Sequence, residues 1–137
     1  MIPVQKIAEV MWHEDVASRS LEMTLDEIGA GRARLSMKIR KSMANGQKVC
    51  HGGFIFTLAD SAFGYACNTH NQRAVGASCS IDYLAPAFID DVLTAQAAEV
   101  LRSGRRGIYD VKVINQKGDT VALFRGHCAT VKGKWIE

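Results

Sequence analysis

Apolar residues at Val4, Ile7, Ala8, Met11 and Trp12 recur at helical spacing behind Pro3, which predicts an N-terminal amphipathic helix within residues 1–18. From Leu21 the period changes to two. Leu21, Met23 and Leu25 alternate with polar neighbours, Gly29-Ala30-Gly31 makes a turn, and Ala33, Leu35, Met37 and Ile39 alternate with Arg32, Arg34, Ser36, Lys38 and Arg40. That pattern is a hairpin with one core face and one basic face. The stretch "KSMANGQKV" then carries an Asn45-Gly46 turn signal, and His51-Gly52-Gly53 opens an apolar segment that runs to Asn71. Its length predicts a buried helix over about 52–71, in which Ala59, Ala62, Gly64 and Ala66 allow another element to approach closely. Period-two segments return over 75–84, 91–102, 107–116 and 119–131, separated by "APAFIDD", "SGRR" and "QKGD". The order of elements predicts one α+β domain over 1–137, an antiparallel sheet curled around a long central helix.

Composition narrows the partners. With 137 residues, 47% of them apolar and 23% charged, the chain suits a single soluble globular domain. Its net charge of +3 is too mild to require nucleic acid, and the basic strand face lacks interleaved aromatics, yet the balance favours an anionic ligand. Cys50, Cys67, Cys79 and Cys128 form no CxxC pair, so reduced thiols in a cytoplasm are expected. His13, His51, His70 and His127 show no ligand spacing with them, so no metal site is expected. No apolar run reaches the roughly 20 residues of a membrane span.

The stretches "NGQKVCHGG", "TLADSAFGYACN", "IDYLAPA" and "TVALFRG" span residues 45–126 in one order, with Asn45 six residues before His51 and Asp60 nine after it. Together they resemble the hotdog fold, and more closely the PaaI-type acyl-CoA thioesterases of phenylacetate degradation. The resemblance implies hydrolysis of acyl-CoA thioesters, phenylacetyl-CoA or hydroxyphenylacetyl-CoA foremost. It implies no metal, and no cofactor beyond the coenzyme A of the substrate. It also implies a dimer whose active sites are shared across a two-fold interface, assembled further into a tetramer. In that family the Asn, the His and a glycine amide of the motif surround the thioester, and Asn45, His51, Gly52 and Gly53 match those positions.

Thioester hydrolysis needs donors for a developing oxyanion and a carboxylate or base that attacks or activates water. Glycines at a helix start leave N–H groups open at the positive end of the helix dipole, so the Gly52 and Gly53 amides suit the oxyanion, with His51 and Asn45 as further donors. Asp60 is the one ionised group in the apolar helix, read as nucleophile or general base. It lies about 10 Å along the helix from Gly53, too far for both to touch one carbonyl, unless a second antiparallel helix brings its own glycine turn alongside. Ser78 is expected to hold the attacking water. Phe54 and Tyr83, with Phe63 and Tyr65, either line an acyl pocket or fill the core, and Arg105 and Arg106, with Arg102, Lys132 and Lys134, are candidates for the CoA phosphates.

Blander readings stand beside these. Asp60 could pair with a buried arginine, His51 could only orient the turn, Asn45 could only form one, and any single cation could be simple solvated charge. Two rival functions also fit the fold: an acyl-CoA or acyl-carrier dehydratase or hydratase, and a non-catalytic acyl-CoA sensor.

Overall fold

Asp15 breaks the N-terminal helix in two. In the computed structural model, which describes residues 3–137, α1 spans Val4–Glu14 and α2 spans Val16–Ser20. Asp15 sits between them with φ −85° and ψ 79°, its carboxylate accepting from the Ser18 N–H at 3.0 Å, so it caps the second helix rather than continuing the first. The helix predicted within 1–18 is therefore two helices, and the first two residues of that span lie outside the described ones.

The strands are β1 (Thr24–Gly29), β2 (Arg32–Lys38), β3 (Ala74–Tyr83), β4 (Val92–Ser103), β5 (Arg106–Ile114) and β6 (Thr120–Thr130), with the central helix α3 over Gly52–Cys67. The first strand starts later than its alternation suggests, because Leu21 ends α2 and Glu22 takes a left-handed φ of 58°. Ala30-Gly31 makes the predicted tight turn, Gly31 supplying φ 72°.

All pairings are antiparallel, in the order β1-β2-β4-β5-β6-β3. Register shifts at Leu25/Glu27, Gly76/Ser78, Glu99/Leu101 and Val113/Ile114 add local twist, which lets the sheet wrap α3. On β2, Ala33, Leu35 and Met37 are buried against the helix while Arg32, Arg34 and Lys38 face out, as the alternation requires.

The helix lies in the hollow of the sheet. Leu58, Ala59, Ala62, Phe63 and Ala66 meet Leu35, Leu93, Tyr109, Val111 and Phe124, all fully or nearly fully buried. At Gly126 the approach is tight: a Cβ there would stand 2.7 Å from the Phe63 ring. The alanines expected to admit a second helix are thus spent against the sheet, and of those small residues only Gly64 lies on the open side. The helix also ends four residues early. Asn68 closes it by donating to the Gly64 carbonyl at 2.8 Å and accepting the Ala74 N–H at 2.9 Å, which ties the helix end to the start of β3.

Candidate active site

A candidate centre forms where the chain enters α3. The Gly53 N–H donates to Nδ1 of His51 at 2.9 Å, so the His51 side chain is the helix cap. One of the two glycine amides expected to be open is thereby occupied in the isolated chain, and Gly52 supplies the remaining first-turn N–H. Gly52 is also held from outside. The Tyr83 hydroxyl donates to its carbonyl at 2.9 Å, and a Cβ on Gly52 would stand 3.0 Å from the Tyr83 ring. Tyr83, a candidate for lining the acyl pocket, therefore clamps the helix start. Phe54 meets the His51 ring edge-on at 6.3 Å between centroids.

Asn45 begins the loop that returns to this point through the Ala44–Cys50 bridge. Its Oδ1 accepts from the Gln47 and Val49 N–H groups at 2.9 and 3.4 Å, so the turn-forming reading holds. Its Nδ2 meets no acceptor among the described residues and remains a donor.

Asp60 departs from the reading of a carboxylate inside a buried helix: its side chain is exposed. Gly53, Thr57, Asp60 and Gly64 form a stripe along α3 that the sheet leaves uncovered, and nothing stands within 4 Å of where a Gly64 Cβ would be. The surrounding apolar wall still desolvates the Asp60 carboxyl and raises it above the ordinary carboxylate range. Among the described residues it makes no ion pair, against the reading of a buried arginine partner.

The edge strand β3 supplies the facing wall. Cys79 pairs with Gly126 and Ile81 with Phe124, residues that face α3, so Cys79, Ile81 and Tyr83 point towards the helix. Ser78 pairs with His127 and faces the outer side of the sheet, away from Asp60. The bulge between Gly76 and Ser78 sets this register. Burial raises the Cys79 thiol, and the Asp60 charge raises it further. Counting alternation backwards from Ile81 would have found Cys79 in the sequence. Phe63 and Tyr65 are core residues, Phe63 stacked among Tyr109 and Phe124 and Tyr65 donating to Asp15 at 3.0 Å.

Arg105 and Arg106 lie at the β4–β5 turn, by the C-terminal end of α3 and away from the glycine turn of their own chain. Cys50, Cys67 and Cys128 are buried free thiols, and Cys79 is exposed. Among the described residues no group of three or more His, Cys, Asp or Glu could hold a metal ion, and no helix is long and apolar enough to cross a membrane.

Residues 47–122 match the family model of the thioesterase superfamily. The acyl-coenzyme A thioesterase PaaI of Escherichia coli is 41% identical over 127 residues, covering 92% of this chain and 90% of the relative. The solved structure of the E. coli PaaI protein, from the phenylacetic acid degradation operon, superposes with a TM-score of 0.94 at 38% identity, over 96% of this chain and 95% of that one. A Streptococcus mutans protein bound to acetyl CoA superposes at 0.78 with 26% identity, over 82% and 90% of the two chains.

Proposed function

This chain belongs to the thioesterase superfamily, as an acyl-CoA thioesterase with the hotdog fold, and on that premise we propose that it hydrolyses arylacetyl-CoA thioesters at sites shared between two copies. The observation that carries this reading is the open stripe of α3. Asp60 stands on it unpaired and desolvated, about 10 Å from its own Gly53 by helical rise. A second α3 laid antiparallel on that stripe sets one copy's Asp60 opposite the other's glycine turn. The exposed edge of β3, whose residues 75–80 are open to solvent, lies alongside the stripe and favours the same pairing.

In this arrangement the thioester carbonyl oxygen receives the Gly52 N–H of one copy, with the Asn45 amide as a second donor. Asp60 of the other copy takes a proton from water. The resulting hydroxide adds to the carbonyl carbon, the C–S bond breaks, and the thiolate of coenzyme A leaves and is reprotonated. A carboxyl raised above its usual range is a better base near neutral pH than an ordinary aspartate. Phenylacetyl-CoA and its ring-hydroxylated forms are the proposed substrates, on the strength of the likeness to PaaI. The reduced thiols fit a cytoplasmic enzyme, and pairing of two such dimers gives the proposed tetramer.

The test is thiol release from phenylacetyl-CoA, a hydroxyphenylacetyl-CoA, benzoyl-CoA and hexanoyl-CoA, with wild type beside Asp60→Asn. An arylacetyl-CoA should lead, and the variant should lose about a hundredfold or more in kcat while staying folded. Binding of these thioesters without thiol release would transfer the protein to the sensors. Light scattering should find dimers or larger, and an active monomer would sink the shared site.

A further inference from the structure

A water activated by a carboxylate gives up one proton and keeps the other, and that second O–H needs an acceptor to aim the attacking lone pair at the thioester carbon. Ser78, the residue first expected to hold the water, faces the outer side of the sheet. The open stripe of α3 carries one other side-chain oxygen beside Asp60, the hydroxyl of half-buried Thr57.

Thr57 stands three residues before Asp60. On a helix that offset is a rise of about 4.5 Å with Cβ atoms roughly 5–6 Å apart, so the two side chains are neighbours on one face. A water bonded to two oxygens at about 2.8 Å each bridges a gap of about 4.5 Å. The two spans agree.

The Thr57 hydroxyl is set to accept. Its proton is directed back along the helix, Oγ1 donating to the Gly53 carbonyl at 2.8 Å. A hydroxyl has one proton and two lone pairs, and among the described residues no donor reaches the lone pairs of Thr57. With the proton committed, the oxygen can only receive. The bond to Gly53 also polarises the hydroxyl and holds the χ1 of a β-branched side chain that has few rotamers to choose from.

Neighbouring groups are worse suited. Ser61 is turned to α2 and already receives the Ser18 hydroxyl at 3.2 Å. The Cys79 thiol is a weak acceptor and the Asn45 amide nitrogen only donates, while Nδ1 of His51 is taken by the Gly53 N–H at 2.9 Å.

We propose that Thr57 orients the attacking water: Oγ1 accepts one of its O–H groups while Asp60 of the same chain takes the proton of the other. The proposal rests on the hydrolytic reading above and gives its base a companion. As Asp60 removes one proton, the hydroxide keeps its hydrogen bond to Thr57 and adds to the thioester carbon held at the glycine turn of the second copy. No proton leaves Thr57 at any step.

The test is thiol release from phenylacetyl-CoA by wild type, Thr57→Val, Thr57→Ala and Thr57→Ser. Valine keeps the branch and the volume and removes the hydroxyl. Alanine removes it with no branch left to crowd the helix, so a folding defect in one variant leaves the other to decide. Because a back-bond to the preceding turn adds little to a helix, both should unfold in urea near the wild-type midpoint. Each should lose about tenfold or more in kcat with KM held within about twofold, while serine keeps at least about half of the wild-type kcat. An undiminished kcat in the valine and alanine variants, a serine variant as slow as they are, or a loss expressed in KM instead would overturn the assignment. Should wild type release no thiol from any of the four thioesters, the hydrolytic reading and this one fall together; with wild type active, the Thr57 variants judge this one alone.

Discussion

Nδ1 of His51 accepts the Gly53 N–H at 2.9 Å, so the histidine of the glycine motif is first of all a helix cap. The cap secures the first turn of α3 and decides which amide is left for a substrate. His51→Ala should cost about 1 kcal/mol of stability by urea unfolding, the usual loss of a capping side chain, and His51→Asn should recover most of it. Because the cap orients the Gly52 N–H, the alanine variant should also lose kcat beyond any change in KM. Equal stability of all three proteins would rule out capping as the role of this side chain.

Tyr83 acts on the same turn from the edge strand, its hydroxyl donating to the Gly52 carbonyl at 2.9 Å. Tyr83→Phe keeps the ring against Gly52 and removes only that bond. Stability should fall by about 0.5–1.5 kcal/mol at most, since the group is solvent-exposed. The kinetic loss should appear in kcat, as for a positioning residue. A rise in KM alone would return Tyr83 to the wall of the acyl pocket.

Asp60 gives two pH dependences of opposite sense. Desolvation raises its carboxyl, so the folded chain holds that proton more tightly than the unfolded chain. Activity that requires the carboxylate should fall as pH drops, with a midpoint above the ordinary carboxylate range. Stability runs the other way: the group favours folding below its unfolded pKa, and that contribution is lost as pH rises through the folded value. Asp60→Asn should therefore be as stable as wild type or more so at neutral pH, with the difference closing in acid, by denaturant titration at several pH values. A clearly weaker variant at pH 7 would mean that the carboxylate is held by a partner.

The tight meeting of Gly126 with the helix sets a fourth test. A Cβ on Gly126 would stand 2.7 Å from the buried ring of Phe63. Gly126→Ala should destabilise by about 1–3 kcal/mol through overpacking. Phe63→Leu makes room, so the double variant should be less destabilised than the sum of the two singles. Strict additivity would show that the ring moves aside without strain.

Much of this architecture was legible along the chain. Alternation placed β2 with Ala33, Leu35 and Met37 inward and located the four later strands, because a sheet with one covered face imposes a period of two on its side chains. The His51-Gly52-Gly53 start of α3 was equally local, since a helix begins where its cap is. Asp15 and Asn68 ended helices earlier than hydropathy suggested, through side-chain hydrogen bonds to which apolar periodicity is blind.

What only the tertiary structure decided was which faces stay open. Asp60 stands in an apolar run, which reads as burial, yet the sheet covers just one side of α3 and leaves that carboxylate at the surface. The bulge beside Ser78 turned Cys79 towards it, and Arg102, Arg105, Lys132 and Lys134 came together from two segments about thirty residues apart only when β4, β5 and β6 closed around the helix end. The amino-acid sequence by itself determines period and caps, because these depend on neighbours within a turn or a strand; exposure and clustering depend on what folds over them from far along the chain.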